Sequence, residues 1–220
     1  MKRRDFSLTA ASLGLLPFIA GTAGTVAHAQ SSVEPKAGKD FIALNKRAPI
    51  DTPAGKVEVV EFFSYNCPHC AAFEPRLETW VKQLPADVVF RRIPVPFVGN
   101  DTEPKQRLYY ALEAMGKVDE YQMKVFNAIH AQRQNVNGDA AIIAWAEKNG
   151  LDKTRFTEAF NSFGVASKAK RATQLVEAYK VSGVPALGIA GRFYVDGELA
   201  GNMTKSLQIT NFLIGEARKG

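Results

Sequence analysis

Two residues separate the only two cysteines of this 220-residue chain, Cys67 and Cys70, and the pair falls where one kind of secondary structure must give way to another. Upstream, residues 57–63 (Val-Glu-Val-Val-Glu-Phe-Phe) are β-branched and aromatic and have the length of a buried strand. Downstream, from Pro68, apolar residues recur at spacings of three and four, at Cys70, Phe73, Leu77, Trp80, Val81 and Leu84, which predicts a helix with one buried face. Pro75 lies inside that helix and predicts a kink, because proline removes a backbone donor and clashes one turn back. Pro85 ends it. Residues 88–95 supply the next strand, giving a β-α-β unit with the cysteines at the strand-to-helix junction.

The chain opens on a positive cluster, continues through an apolar stretch broken by Pro17 and several glycines, and reaches Ala27-His28-Ala29, a small-x-small cleavage pattern. Residues 1–29 are therefore expected to be a cleaved signal peptide rather than a membrane anchor. Arg3-Arg4 also resembles a twin-arginine signal, and the export route stays open. The leader carries Lys2, Arg3, Arg4 and Asp5, a net +2, which leaves +4 of the chain's +6 on the mature protein. Positive residues are scattered among acids, apart from Lys168, Lys170 and Arg171 on one helix face. Nucleic-acid binding would need a denser basic stripe with interleaved aromatics, so it is excluded as a function class.

Phe41 to Leu44 reads as a short edge strand. Over residues 101–180 the pattern is helical throughout, with five amphipathic stripes: Leu108 to Met115, Val118 to Ile129, Ile142 to Ala146, the trio Phe156, Phe160 and Phe163, and Ala172 to Tyr179. Gly116, Asn137-Gly138, Asn149-Gly150 and Gly164 are the expected breaks. Residues 186–190 and 192–195 read as a hairpin around Gly191, with Asp196-Gly197 as the following turn and a last helix over 206–218. The fold class that results is α/β. Residues 30–100 and 181–220 form a sheet domain, and residues 101–180 an inserted all-helical one.

A disulfide closing so short a loop adds little stability, so a stapling role is physically weak and a reactive one is expected. Cys67-Pro68-His69-Cys70 opens a helix, where free amides and the positive end of the helix dipole favour a thiolate. Pro68 suits the first turn, since its missing donor is not needed there. A protonated or donating His69 stabilises a neighbouring anion further. Cys67 is expected at the exposed mouth as the attacking sulfur, and Cys70, one turn in and on the apolar stripe, as the covered resolving sulfur. Lowering the Cys67 pKa stabilises the dithiol and makes the disulfide a stronger oxidant. A structural zinc site needs four ligands, and Cys67, Cys70, His69 and His130 do not form a convincing set, so no metal is expected. His130 reads as a polar residue near a helix end, without a role.

Glu61 is the unusual residue of the first strand. If that strand is apolar on both faces and central, Glu61 is a carboxylate in low dielectric beneath the cysteines, with a raised pKa and a proton to exchange with Cys70. The alternative is a surface carboxylate near the strand end. Glu74 is expected on the exposed side of the helix, tuning charge near the site. Val184-Pro185 precedes the hairpin; sequence alone leaves its peptide bond at the ordinary trans expectation.

The stretches Glu61-Phe62-Phe63-Ser64-Tyr65, Cys67-Pro68-His69-Cys70, Phe73-Glu74 and Gly183-Val184-Pro185-Ala186 together resemble the DsbA family of periplasmic disulfide oxidases, over essentially the whole mature chain. The family is itself a standard illustration of a depressed cysteine pKa and an oxidising potential. The resemblance implies a thioredoxin-like fold with an inserted helical domain, residence in the periplasm, and disulfide transfer to reduced polypeptides through Cys67. It implies that Pro185 is cis and faces the cysteines, that Val184 presents backbone to bound peptide, and that Glu61 is the family's buried acid. A quinone-linked membrane oxidase of DsbB type is the implied partner, with no cofactor and a monomeric protein. Tyr65-Asn66 and the proline-rich Ile93-Pro94-Val95-Pro96-Phe97 depart from the family pattern. Three competing readings remain: a reductase or isomerase, a peptide-binding chaperone with stapling cysteines, or a metal carrier.

Overall fold

A computed structural model describes residues 34–220; the expected leader, residues 1–29, lies outside the described residues. Its organising element is strand β2 (Val57–Phe63), in which every residue is buried. On one side β2 pairs in parallel with β3 (Val88–Pro94), in a register that sets Val57 against Val88 and Glu61 against Arg92. On the other it pairs antiparallel with β4 (Ala186–Ile189), which continues to β5 (Phe193–Asp196) and the two-residue edge strand β1 (Ile42–Ala43). Among the described residues the order across the sheet is β1-β5-β4-β2-β3.

A strand apolar on both faces requires cover on both. Val57 and Val59 pack with Phe73 and Leu77 of helix α1 (Pro68–Val81) and with Leu207 and Leu213 of the last helix, α8 (Met203–Arg218). Val60 and Phe62 face the helices that occupy the chain between β3 and β4. These are α2 (Thr102–Ala114), α3 (Val118–Phe126), α4 (Gly138–Lys148), α5 (Lys153–Phe160) and α6 (Phe163–Tyr179). A π turn, Asn127–Ala131, extends α3. No described helix is long and apolar enough to cross a membrane.

Helix α1 remains one helix through Pro75 and stops at Val81, short of the expected run to Leu84. The fourth apolar stripe needs correction. Phe156 and Phe160 are buried, but Phe163 is 89% exposed. Helix α5 ends at Phe160, and Ser162 then caps a new helix, its Oγ accepting the Val165 N–H at 3.2 Å. Phe163 thus opens α6 instead of continuing the face of α5, and the chain breaks at Asn161-Ser162 rather than at Gly164. After β5, Asp196 does more than turn the chain: its Oδ1 accepts the N–H groups of Glu198 and Leu199 and caps the short helix α7 (Gly197–Ala200). At the hairpin tip Gly191 has φ +68°, and a Cβ there would collide with the Ala48 carbonyl oxygen. Only glycine allows that approach.

Candidate active site

Strand β2 delivers the chain into a four-residue turn that backbone and side-chain hydrogen bonds hold in place. The Cys67 N–H donates to the Ser64 carbonyl at 3.0 Å, and the Asn66 N–H to Ser64 Oγ at 3.1 Å. Asn66 Nδ2 donates to the carbonyls of Val98 and Asn100, at 3.0 and 2.9 Å, tying the turn to the loop after β3. Cys67 is the N-cap of α1, and its Sγ accepts the Cys70 N–H at 3.4 Å. A sulfur replaces the usual oxygen in an N-cap, so the amides that a helix start leaves free are directed at the reactive atom.

Both cysteines are thiols in this structure. Pro68 and His69 stand exposed, and Cys70 is fully buried, as expected. Cys67 does not sit open at the mouth: it is only 4% exposed. The reason lies far along the chain. The Val184-Pro185 peptide bond is cis, and the Cys67 thiol donates to the Val184 carbonyl at 3.4 Å, so this loop covers the sulfur. Val184 thus directs its carbonyl at Cys67.

The two sulfurs titrate in opposite directions. The Cys67 pKa is lowered to about 6, first by the hydrogen bond from the Cys70 thiol. Partial burial opposes the shift, and the backbone amides of Cys70 and His69 and the charge of His69 reinforce it. The anion of Cys67 is thereby favoured near neutral pH. Burial, first, and then the neighbouring Cys67 and Glu61 push the Cys70 thiol far above its ordinary range. One sulfur is ready to attack or leave as an anion, while the other must receive a proton.

Glu61 is fully buried, on the face of β2 that α1 covers. Burial, then the charge of Glu74, hold its carboxyl well above the usual range. The structure corrects the expectation for Glu74, which is also fully buried. It follows Cys70 by four residues and so lies on the same stripe of α1. Both carboxylates meet Arg92 of β3, which sequence reasoning missed. Arg92 Nε lies 3.3 Å from Glu61 Oε2, without hydrogen-bond alignment, while its Nη2 bonds Glu74 Oε1 closely and reaches Glu78 Oε1 at 3.0 Å. A signal was present: Arg92 is four residues past Val88 as Glu61 is four past Val57, so an in-register parallel pair brings them together. Gln122 of α3 completes the cluster, donating to Glu74 Oε2 at 3.3 Å and accepting from the Tyr65 hydroxyl at 2.7 Å. His130, which carried no expectation of a role, donates from Nε2 to the Tyr65 carbonyl at 2.8 Å.

Two further features border α1. A groove of about 580 Å³ separates its outer side from α8, lined by Ala72, Pro75, Arg76, Trp80, Leu207 and Asn211 among others. The proline-rich stretch after β3 is held down by Gln106 Nε2, which donates to the Pro94 carbonyl at 2.8 Å, and by Thr102 Oγ1 on the Pro96 carbonyl at 3.1 Å.

Comparison with known proteins agrees with this geometry. The profile of the DSBA-like thioredoxin domain family matches residues 58–208. The thiol:disulfide interchange protein DsbA of Bordetella parapertussis is 40% identical over 189 residues, covering 86% of this chain and 89% of the relative. Among solved structures, DsbA of Pseudomonas aeruginosa superposes with a TM-score of 0.79 at 35% identity, covering 84% of this chain and 95% of that one. DsbA of Xylella fastidiosa gives 0.76 at 30%, covering 84% and 99%. With a thioredoxin-like fold, a helical domain and a cysteine pair capping α1, the chain belongs to the DsbA-like thioredoxin family.

Proposed function

We propose that this chain is a thiol:disulfide oxidoreductase that passes its Cys67–Cys70 disulfide to reduced exported polypeptides. The observation that carries the reading is the placement of two sulfurs one helical turn apart, Cys67 as the N-cap that the Cys70 N–H meets at 3.4 Å and Cys70 fully buried, which drives their ionisation in opposite directions. In the oxidised enzyme a substrate thiolate attacks Cys67 Sγ, the Cys67–Cys70 bond breaks, and Cys70 leaves with the electron pair. Cys70 then takes a proton, and Glu61 is the nearby group held protonated by burial. A second substrate thiolate attacks the substrate sulfur of the mixed disulfide and expels Cys67 as a thiolate. The substrate has lost two electrons and the enzyme has gained them. Because the expelled Cys67 anion is stabilised, the exchange runs towards substrate oxidation, which disfavours the reductase and isomerase readings.

In this reading His69 and Pro68 shape the helix start, while Val184 and Pro185 form the surface on which the peptide meets Cys67. Glu74 fixes the charge of Arg92 beneath the site. The partition into a thioredoxin-like domain (30–100 and 181–220) and an inserted helical domain (101–180) is supported by the placement of α2–α6 between β3 and β4. Cleavage after Ala29 would release the enzyme in the periplasm, where a quinone-linked membrane oxidase of DsbB type regenerates the disulfide. The test mixes the oxidised protein with a reduced two-cysteine peptide. Stoichiometric peptide oxidation is expected, abolished by Cys67→Ser; a wild-type protein that keeps its disulfide refutes the proposal.

A further inference from the structure

The turn that presents Cys67 is held from outside by one side chain of the helical region. We infer that His130 is a positioning residue for disulfide exchange, fixing the Cys67 turn through the carbonyl of Tyr65; this rests on the oxidoreductase reading above.

His130 lies in the π turn Asn127–Ala131, where the Gln132 N–H reaches back five residues to the Asn127 carbonyl at 2.8 Å. Such widened turns recur at functional sites, because the extra residue re-aims the side chains that follow it. Here the His130 ring packs against Phe126, with centroids 6.2 Å apart and planes inclined by 31°. Its Nε2 meets the Tyr65 oxygen at 2.8 Å. A carbonyl can only accept, so Nε2 carries the proton.

That carbonyl belongs to the peptide unit whose other end is the Asn66 N–H, bonded to Ser64 Oγ. The unit is therefore gripped on both edges, and its plane cannot rotate without breaking one bond. The next amide, that of Cys67, is already committed to the Ser64 carbonyl. The Tyr65 side chain is fixed from the same region by Gln122, which accepts from its hydroxyl, and by Phe126, edge-on to its ring at 5.2 Å, while Phe63 of β2 packs edge-on at 5.1 Å. With His130 absent, the Tyr65–Asn66 peptide is held on one edge only, by Ser64 Oγ, and its carbonyl loses its anchor. Cys67 Sγ then loses its alignment with the amides at the start of α1 that favour its anion. The effect falls on the dithiol protein, where the anion exists, and far less on the disulfide form.

The test compares His130→Leu, which removes the donor, with His130→Gln, whose amide can donate to the same carbonyl. Thiolate absorbance against pH and the equilibrium with glutathione are read on the full mature chain. His130→Leu is expected to raise the Cys67 midpoint by about one pH unit and to make reduction of the protein disulfide about tenfold less favourable, equivalent to ~30 mV. His130→Gln is expected to return both values to within about twofold of wild type, since it restores the donor. If His130→Leu lowers the melting temperature of both redox forms equally and moves neither midpoint nor equilibrium, the inference is wrong. Should neither variant fold, nitrogen-15 spectra of the wild-type imidazole decide: a proton on Nε2 is expected, and a neutral ring protonated only on Nδ1 overturns the assignment. Failure of the wild-type protein to oxidise peptide would instead strike the oxidoreductase reading, which keeps the two failures apart.

Discussion

Glu61 and Arg92 stand opposite each other across the β2–β3 ladder, two buried ionisable side chains 3.3 Å apart, and Arg92 must serve Glu74 and Glu78 as well. The cluster carries more carboxylates than cations, and burial resolves the mismatch by favouring protonated Glu61.

Removing the cation should therefore be costly. Arg92→Met is expected to destabilise the protein by about 3 kcal/mol at pH 7, because it leaves buried carboxylates without a counter-charge. The deficit should shrink towards pH 5, as Glu74, unlike Glu61 not already held protonated, accepts a proton that makes the missing cation irrelevant. Urea unfolding at the two pH values measures it; an equal deficit at both would show that packing, not charge, is lost.

His69 contributes to the Cys67 anion through its backbone amide and its charge, and its side chain is exposed. His69→Val keeps the amide and removes the charge. The Cys67 midpoint is expected to rise by roughly half a pH unit, with the stability of the disulfide form unchanged within about 0.5 kcal/mol. Absorbance titration of the thiolate checks the first, and thermal unfolding the second.

The lowered Cys67 pKa also links stability to pH. The folded value, about 6, lies below the ordinary value of 9.0. Stabilisation of the reduced protein is thus complete above pH 9, declines as the pH falls through 6, and is absent below. The disulfide form has no such contribution. The stability of the reduced form relative to the oxidised form should therefore climb between pH 6 and 9. A flat difference over that range would contradict the assigned ionisation.

Gly188 of β4 offers a control remote from the sulfurs. A Cβ there would lie 2.5 Å from Tyr179 Cε1 and 2.8 Å from Val60 Cγ2, both held in the core. Gly188→Ala is expected to cost about 1–3 kcal/mol through overpacking, while leaving the Cys67 midpoint in place. Denaturant unfolding and the thiolate titration, taken together, separate fold from chemistry.

Local patterns made much of this legible. The strand before Cys67 and the helix after it follow from period and composition, and burial of Glu61 follows from a strand apolar on both faces. What was missed depends on contacts between distant segments. Arg92 becomes meaningful only when β3 is set in register with β2. Cys67 is covered by Val184, 117 residues away, and His130 reaches Tyr65 from the helical region. Glu74 was misplaced for a different reason: its charge suggested solvent, although its position on the Cys70 stripe pointed inward. Phe163 erred the other way, since apolar character suggested burial where a serine cap had already started a new helix.

The hairpin tip at Gly191 has a wider consequence. The chain ahead of β2 is stitched to it by the Ala48 N–H on the Gly191 carbonyl, by the Leu44 N–H on the Arg192 carbonyl and by Arg47 Nε on the Ala190 carbonyl. Together with β1, these bonds hem the β5 side of the sheet with a strand too short to recruit another. Along that border the sheet thereby offers passing extended chains no template to join.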